Sequence, residues 1–307
     1  MKRELHGIFL LDKPLGGSSN HALQRVKRIF NAAKAGHTGS LDPLATGMLP
    51  ICFGEATKFS QHLLDANKTY EVTAMLGVRT DTGDAEGQVI DSCRAGTRLV
   101  PAHLDVMQIL PQFTGVIQQI PPMHSALKHQ GRPLYEYARK GETIDRSART
   151  ITIFTLELTD WSSSQKTLTL RVHCSKGTYI RSLIDDIGEV LGCGAHVTAL
   201  RRTLVEPFNA YPMISFEELE SSTDRDHYLL PIDAALAAWP RQTLDDDLGR
   251  QLLRGALITL KASSLPNTPT CFYSEAGKFL GVGGIDQNGQ VINKRLVSMA
   301  LSGLFQI

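Results

Sequence analysis

The sequence predicts an α+β fold, and three observations carry the prediction. Segments 69–78, 151–161 and 167–174 alternate apolar and polar residues with period two, the mark of half-buried strands, and a polar turn of only 162–165 separates the last two. Between the strand-like segments lie apolar stripes at helical spacing, Ala22, Leu23, Val26, Ile29 and Phe30 in one and Ile180, Leu183, Ile184, Ile187 and Leu191 in the other. Beyond Pro240 the chain turns to short apolar segments punctuated by Gly and Asn, which predicts a small, mostly β module of about sixty residues.

A chain of 307 residues exceeds the usual single-domain length, so the expected division is a large unit over 1–240 and a small one over 245–307. An apolar fraction of 42% suffices for a core. Charge is balanced, 32 Lys plus Arg against 31 Asp plus Glu, so a polyanionic partner must be met by a local patch. The five cysteines are scattered without a Cys-x-x-Cys pair, which argues against a disulfide framework or a cysteine zinc site and suits a reducing cytoplasm. Cys193 and His196 share a spacing seen in metal sites, but no second pair completes it, and no metal is expected. No apolar run approaches membrane-spanning length.

In chain order, 7–11 reads as a buried strand ending in a turn rich in Pro and Gly, after which Ser18 or Ser19 can cap a helix. Segment 52–64 runs into a helix, and 79–87 is an acidic turn leading to 88–91 as a hairpin. This turn lacks the spacing and final glutamate of an EF-hand, which argues against a calcium loop. A helix over 101–110 and a strand over 116–120 follow. Ser175 to Thr178 end a strand and cap the helix that carries Arg181. Arg181 falls off the apolar stripe in the first helical turn, where a cation opposes the helix dipole, so a partner must offset it. Segment 195–205 returns as a strand, and Asp245, Asp246 and Asp247 open a last short helix closed by Gly255.

The run from Gly36 to Pro50 stands apart. Three glycines and two prolines within it predict a shaped loop in place of a strand or helix. It presents one carboxylate, Asp42, whose backbone the following Pro43 biases away from the α region. Taken alone, Leu41-Asp42-Pro43 reads first as a turn cap. Segment 124–149 has its own character: six basic residues, among them Lys128, Arg132 and Arg139, against three acidic ones, with His124, His129, Tyr135 and Tyr137 interleaved. Cations can meet phosphates while rings stack on bases, so this segment is the candidate RNA surface.

Together these motifs resemble the TruB family of bacterial tRNA pseudouridine synthases. The resemblance rests on Leu11 to Pro14, the loop from Gly36 to Pro50, Asn67 to Tyr70, Arg79 to Asp84, Ser125 to Lys128 with Gly131 and Leu134 to Arg139, and Ser175 to Leu183, in order across 7–205. The C-terminal piece resembles a PUA domain. The resemblance implies a catalytic domain with a mixed, largely antiparallel sheet flanked by helices and loops, a basic RNA-binding insertion at about 124–149, and a β-rich PUA-like module. It implies isomerisation of uridine 55 in the T loop of tRNA to pseudouridine, with Asp42 as the essential carboxylate, Tyr70 against the target base and Arg181 paired with Asp42. It also implies substrate contacts from His37, Tyr179, Lys13, Leu200, Lys128, Arg132 and Arg139, with His37 in the loop that accompanies base extrusion.

The reaction breaks the bond from N1 to C1′, rotates the base, joins C5 to C1′ and releases the C5 proton. Substrate and product are isomers, so no redox cofactor, metal or energy source is expected, and neither is an obligate protein partner. Asp42 can attack C1′ or C6 or take a proton from the sugar, and Tyr70 can stack on the uracil or carry the C5 proton. Two other functions suit the same residues: a carboxylate-dependent glycosylase that releases the base to water, and a tRNA-folding chaperone without catalysis.

Overall fold

The computed structural model describes residues 1–92, 101–260 and 268–298. Cys93 and the end of the expected C-terminal module, 299–307, lie outside the described residues. In chain order the elements are β1 (Gly7–Lys13), α1 (Ser19–Ile29), β2 (Ala35–His37), β3 (Ala45–Phe53), α2 (Ser60–Asp65), β4 (Lys68–Leu76), β5 (Val78–Thr80), β6 (Val89–Ser92), α3 (His103–Ile109), β7 (Gly115–Gln119), β8 (Lys128–His129) and β9 (Arg132–Pro133). They continue as α4 (Leu134–Ala138), β10 (Arg149–Ser162), β11 (Thr167–Cys174), α5 (Ile180–Val190), β12 (Ala195–Val205), α6 (Phe216–Ser221), β13 (Arg241–Leu244), α7 (Asp246–Leu253), β14 (Thr270–Ser274), β15 (Phe279–Ile285) and β16 (Val291–Leu296).

The main sheet runs β1-β3-β12-β4-β11-β10-β7, with β2 paired to β3. Every pair is antiparallel except β12 with β3, so the sheet is mixed and largely antiparallel, as expected. The second sheet runs β13-β14-β15-β16, with Arg241–Leu244 as its first strand, parallel to β14.

Both faces of the main sheet are covered. Phe9 and Leu11 of β1 point to one side, into a core with Val26, Phe30, Phe53, Val72 and Ile184. Ile8 and Leu10 point to the other, into a core shared with Phe59, Phe208, Leu252, Phe272 and Leu280. Burial on both faces is why β1 is a continuous apolar run. The second sheet is fastened to the segment before α2 by the Phe59 and Phe279 rings, 5.3 Å apart. Lys58 Nζ also donates to Leu296 O at 3.1 Å.

The structure corrects the reading of 36–50 as one shaped loop. Its second half is strand β3, and only 38–44 is irregular. Pro50 is tolerated because of where its nitrogen faces. β12 pairs with Ala45 to Gly47 and β2 with Ile51 to Phe53 along the same edge of β3, so Pro50 falls in the gap between them. Its carbonyl accepts from Thr38 N at 3.0 Å across that gap, and the missing amide costs no ladder bond. Gly47 has φ +97°, and a Cβ there would lie 2.3 Å from Arg202 O, so the glycine permits a close strand approach.

At the helix starts the structure decides one open alternative and corrects one reading. Ser18, not Ser19, caps α1, its side chain accepting from His21 N at 3.2 Å. The cap position of α5 is Tyr179, without a side-chain cap bond, and not Ser175 to Thr178.

Candidate active site

A cleft of about 380 Å³ opens where the irregular loop, β4, β12 and the start of α5 converge, and Asp42, Tyr70, Tyr179, Arg181 and Leu200 all line it. These are the residues that the sequence motifs brought forward from four separate segments.

The loop that carries Asp42 is tied down on each side. Ser19, 3% exposed, accepts from Leu41 N at 2.7 Å and donates to Leu41 O at 3.0 Å. Lys13, 1% exposed, donates to Pro14 O at 3.0 Å, Pro43 O at 3.4 Å and Ala45 O at 2.8 Å. Asp42 O itself accepts from Ala45 N at 3.0 Å. Its carboxylate is left to face the cleft.

Arg181 supplies the opposite charge. Its Nε lies 2.9 Å from Asp42 Oδ2 and its Nη1 3.6 Å from Asp84 Oδ2. Nη1 also donates to Thr82 O at 2.8 Å and Nη2 to His124 O at 2.7 Å. The side chain is buried with its first-turn helix position, and two carboxylates offset the unfavourable dipole. Asp84 is in turn held by Thr82 Oγ1, which donates to its Oδ1 at 2.6 Å, and by Glu86 N at 3.1 Å.

Arg181 pulls the Asp42 carboxyl down by its charge and its hydrogen bond. Burial pushes harder, with Asp84 adding repulsion, and the carboxyl stands above its ordinary value. Burial likewise raises the phenols of Tyr70 and Tyr179, leaving both protonated at neutral pH. Tyr179 is positioned through its backbone. Gln119, 2% exposed, accepts from Tyr179 N at 2.8 Å and donates to Tyr179 O at 3.0 Å.

The remaining expected contacts fall elsewhere. Lys13 lies behind the loop, bracing Asp42 through backbone carbonyls. His37 ends β2 and is not among the residues lining the cleft, with its buried Nδ1 unpaired and its imidazole pushed toward the neutral form by burial. Lys128 and Arg132 sit exposed on the β8–β9 hairpin, and Arg139, just beyond α4, places its guanidinium 5.3 Å over the Tyr135 ring. Their segment reaches the cleft rim through His124, Ser125 and Ala126. His196 and Cys193 bond to backbone carbonyls, and no group of three metal-ligating side chains occurs among the described residues.

Four residues were assigned no place in the site from the sequence: Ser19, weighed only as a helix cap, Lys68 and Asp84, present only within longer motifs, and Arg202. Asp84 lay in an acidic turn and Ser19 beside a better cap. Lys68 and Arg202 carried a usable signal, because both are cations at inward positions of alternating strands, 7% and 1% exposed. Lys68 Nζ donates to Leu63, Leu64 and Ala66 carbonyls at 3.2, 2.8 and 2.5 Å, and burial pushes it down to about 8.

Comparison with known proteins supplies the family. Residues 27–180 match the N-terminal domain of TruB family pseudouridylate synthase, 181–237 the tRNA pseudouridylate synthase B C-terminal domain, and 240–297 the C-terminal region of pseudouridine synthase II TruB. The tRNA pseudouridine synthase B of Tolumonas auensis is 53% identical over 96% of this chain and 93% of its own. That of Pasteurella multocida is 50% identical over 96% of each. In the crystal structure of a Cbf5-Nop10-Gar1 complex, a chain with 25% identity superposes with a TM-score of 0.73, covering 97% of this chain and 87% of that one. On the match across both halves and the identity over nearly the whole length, this chain belongs to the TruB family of pseudouridylate synthases.

Proposed function

We propose that the protein converts uridine 55 in the T loop of tRNA to pseudouridine, with Asp42 as the essential carboxylate. The observation that carries the reading is the single ionisable group that faces the cleft from a pinned loop, with Arg181 at 2.9 Å held by Asp84 behind it. Nucleophilic attack at C1′, attack at C6 and proton abstraction from the sugar all require the ionised form of Asp42. Arg181 stabilises that form by a charge-assisted hydrogen bond. A base inside a folded T loop reaches the carboxylate only after extrusion, which costs a few kcal/mol of stacking. Tyr70 and Tyr179 offer aromatic faces in the cleft to recover part of it. With both phenols raised by burial, stacking suits Tyr70 better than accepting the C5 proton. Lys128, Arg132 and Arg139 belong to the segment that reaches the cleft rim through His124, Ser125 and Ala126, and their charge suits phosphates of the T arm. The proposed division of labour puts catalysis in 1–240 and RNA contact in segment 124–149 and the module of 245–307.

The test is to incubate the purified protein with unmodified tRNA labelled with tritium at uridine C5, measure tritium release and map the modified position. Release with pseudouridine at position 55 is expected from the wild type. Asp42→Asn should remove release while tRNA binding stays within about threefold. Undiminished release from Asp42→Asn, or free uracil among the products, would overturn the assignment.

A further inference from the structure

We propose that Arg202 is a positioning residue of this reaction, one that locks the Asp42 loop to the strand carrying Tyr70. The inference rests on the proposed function for its catalytic readout and on geometry for the rest. Arg202 is 1% exposed, yet its guanidinium borders the cleft. Among the described residues it pairs with no carboxylate, and its hydrogen bonds go to backbone carbonyls. A buried cation without a counter-ion is expensive unless its donors are taken up and its charge has a use.

Its donors are taken up by the catalytic loop. Nη2 donates to Gly39 O at 2.8 Å and Nε to Met48 O at 2.7 Å, so one planar group ties the entry of the irregular loop to β3 beyond its exit, with Asp42 between. The backbone of Arg202 is fixed as well. It stands opposite Gly47 of β3 on one side and opposite Tyr70 of β4 on the other. Directly opposed residues on neighbouring strands project to the same face, which brings the guanidinium beside the Tyr70 phenol. Both contacts are close: a Cβ on Gly39 would meet Nη1 tightly at 3.3 Å, and one on Gly47 would collide with the Arg202 carbonyl at 2.3 Å.

A residue that touches the two walls of the cleft, and none of the exposed RNA surface, should affect the chemical step and leave substrate affinity alone. Its charge adds a second consequence. Cleaving N1–C1′ with the electron pair leaving on the base gives the detached uracil negative charge, and the unpaired guanidinium keeps that side of the cleft positive.

The experiment compares Arg202→Met, which removes the charge and both carbonyl bonds, with Arg202→Lys, which keeps the charge but cannot span both carbonyls. Single-turnover pseudouridine formation should fall about 100-fold in Arg202→Met and about 10-fold in Arg202→Lys, with tRNA Kd within about threefold of wild type in each. In the same variants without RNA, the Leu41 and Ala45 amides, bonded to Ser19 Oγ and Asp42 O, should exchange at least about 10-fold faster, while the core amide of Leu183 in α5 is unchanged. Parallel acceleration of the α5 amide would reduce Arg202 to a general stability role and overturn the proposal. So would a folded variant with wild-type rate and exchange. If Arg202→Met does not fold, Arg202→Lys decides on the same criteria. If the wild type itself forms no pseudouridine, the functional reading fails separately, and unchanged Leu41 and Ala45 exchange in Arg202→Lys then overturns the positioning role by itself.

Discussion

Asp42 shows how one side chain is set by two opposed effects. Burial and the neighbouring Asp84 raise its carboxyl, while Arg181 and Lys13 lower it, and burial wins. If every route needs the ionised form, kcat/KM should fall on the acid side around a pKa above the ordinary aspartate value of about 3.9. Asp84→Asn removes a repelling charge and leaves Arg181 to Asp42 alone, so the acid limb should move to lower pH. Arg181→Gln removes the attraction, and the limb should move up. A pH–rate profile of the three proteins checks both directions, and limbs that coincide would show that Asp42 does not govern the profile. Asp42 was legible only through the motifs around it, because Leu41-Asp42-Pro43 taken alone reads first as a turn cap. Asp84 was not legible as part of the site, because it reaches Asp42 and its partner Arg181, 97 residues away in sequence, only after folding.

At the scale of elements, α1 gives two neighbouring serines different work. Ser18 bonds the free amide of His21, so Ser18→Ala should cost about 1 kcal/mol of stability and leave turnover unchanged. Ser19 holds both backbone groups of Leu41, and Ser19→Ala leaves a buried amide unpaired, costing about 1–3 kcal/mol and slowing turnover by loosening the Asp42 loop. Urea titration with single-turnover assays separates the two, and equal turnover in both variants would contradict the division. In α5, Asp186 is raised to about 6 by burial, then by Asp185 and Glu189. Its folded-state pKa lies above the unfolded value, so the native state carries a penalty above pH 6 that is relieved as pH falls toward about 4. Asp186→Asn should therefore stabilise the protein at pH 8, by on the order of 1 kcal/mol after allowance for solvent screening, and lose that advantage near pH 4. Denaturation midpoints at the two pH values test the sign. The strands at 167–174 and 195–205 could be read to the residue, since alternation and polar turns bounded them. β3 could not, because Pro50 and Gly47 read as breakers until the gap beside β3 and the approach of Arg202 are known.

For the whole molecule, the decisive feature is the second core. β1 alternates its side chains between two cores, and the one behind the sheet is completed by Phe272 and Leu280 of the C-terminal sheet. A composition change at Pro240 predicted a separate module, and the module does build its own sheet. Sequence periodicity carries no information about which face of another sheet it covers, so the shared core became visible only in three dimensions. Phe59 lies at the centre of this junction, 1% exposed and edge-on to Phe279, and Glu55 accepts from Ser298 N at 2.6 Å beside it. If the core is shared, neither part has a complete interior alone, and the two should unfold together. Calorimetry should then give one transition whose calorimetric and van't Hoff enthalpies agree. Phe59→Ala should lower that single transition by about 3–5 kcal/mol, because the ring leaves a cavity between the two sheets that neither can collapse to fill. Two resolved transitions in the wild type, with only the second sheet's transition moved by Phe59→Ala, would show instead that the module folds by itself and merely rests on the catalytic sheet.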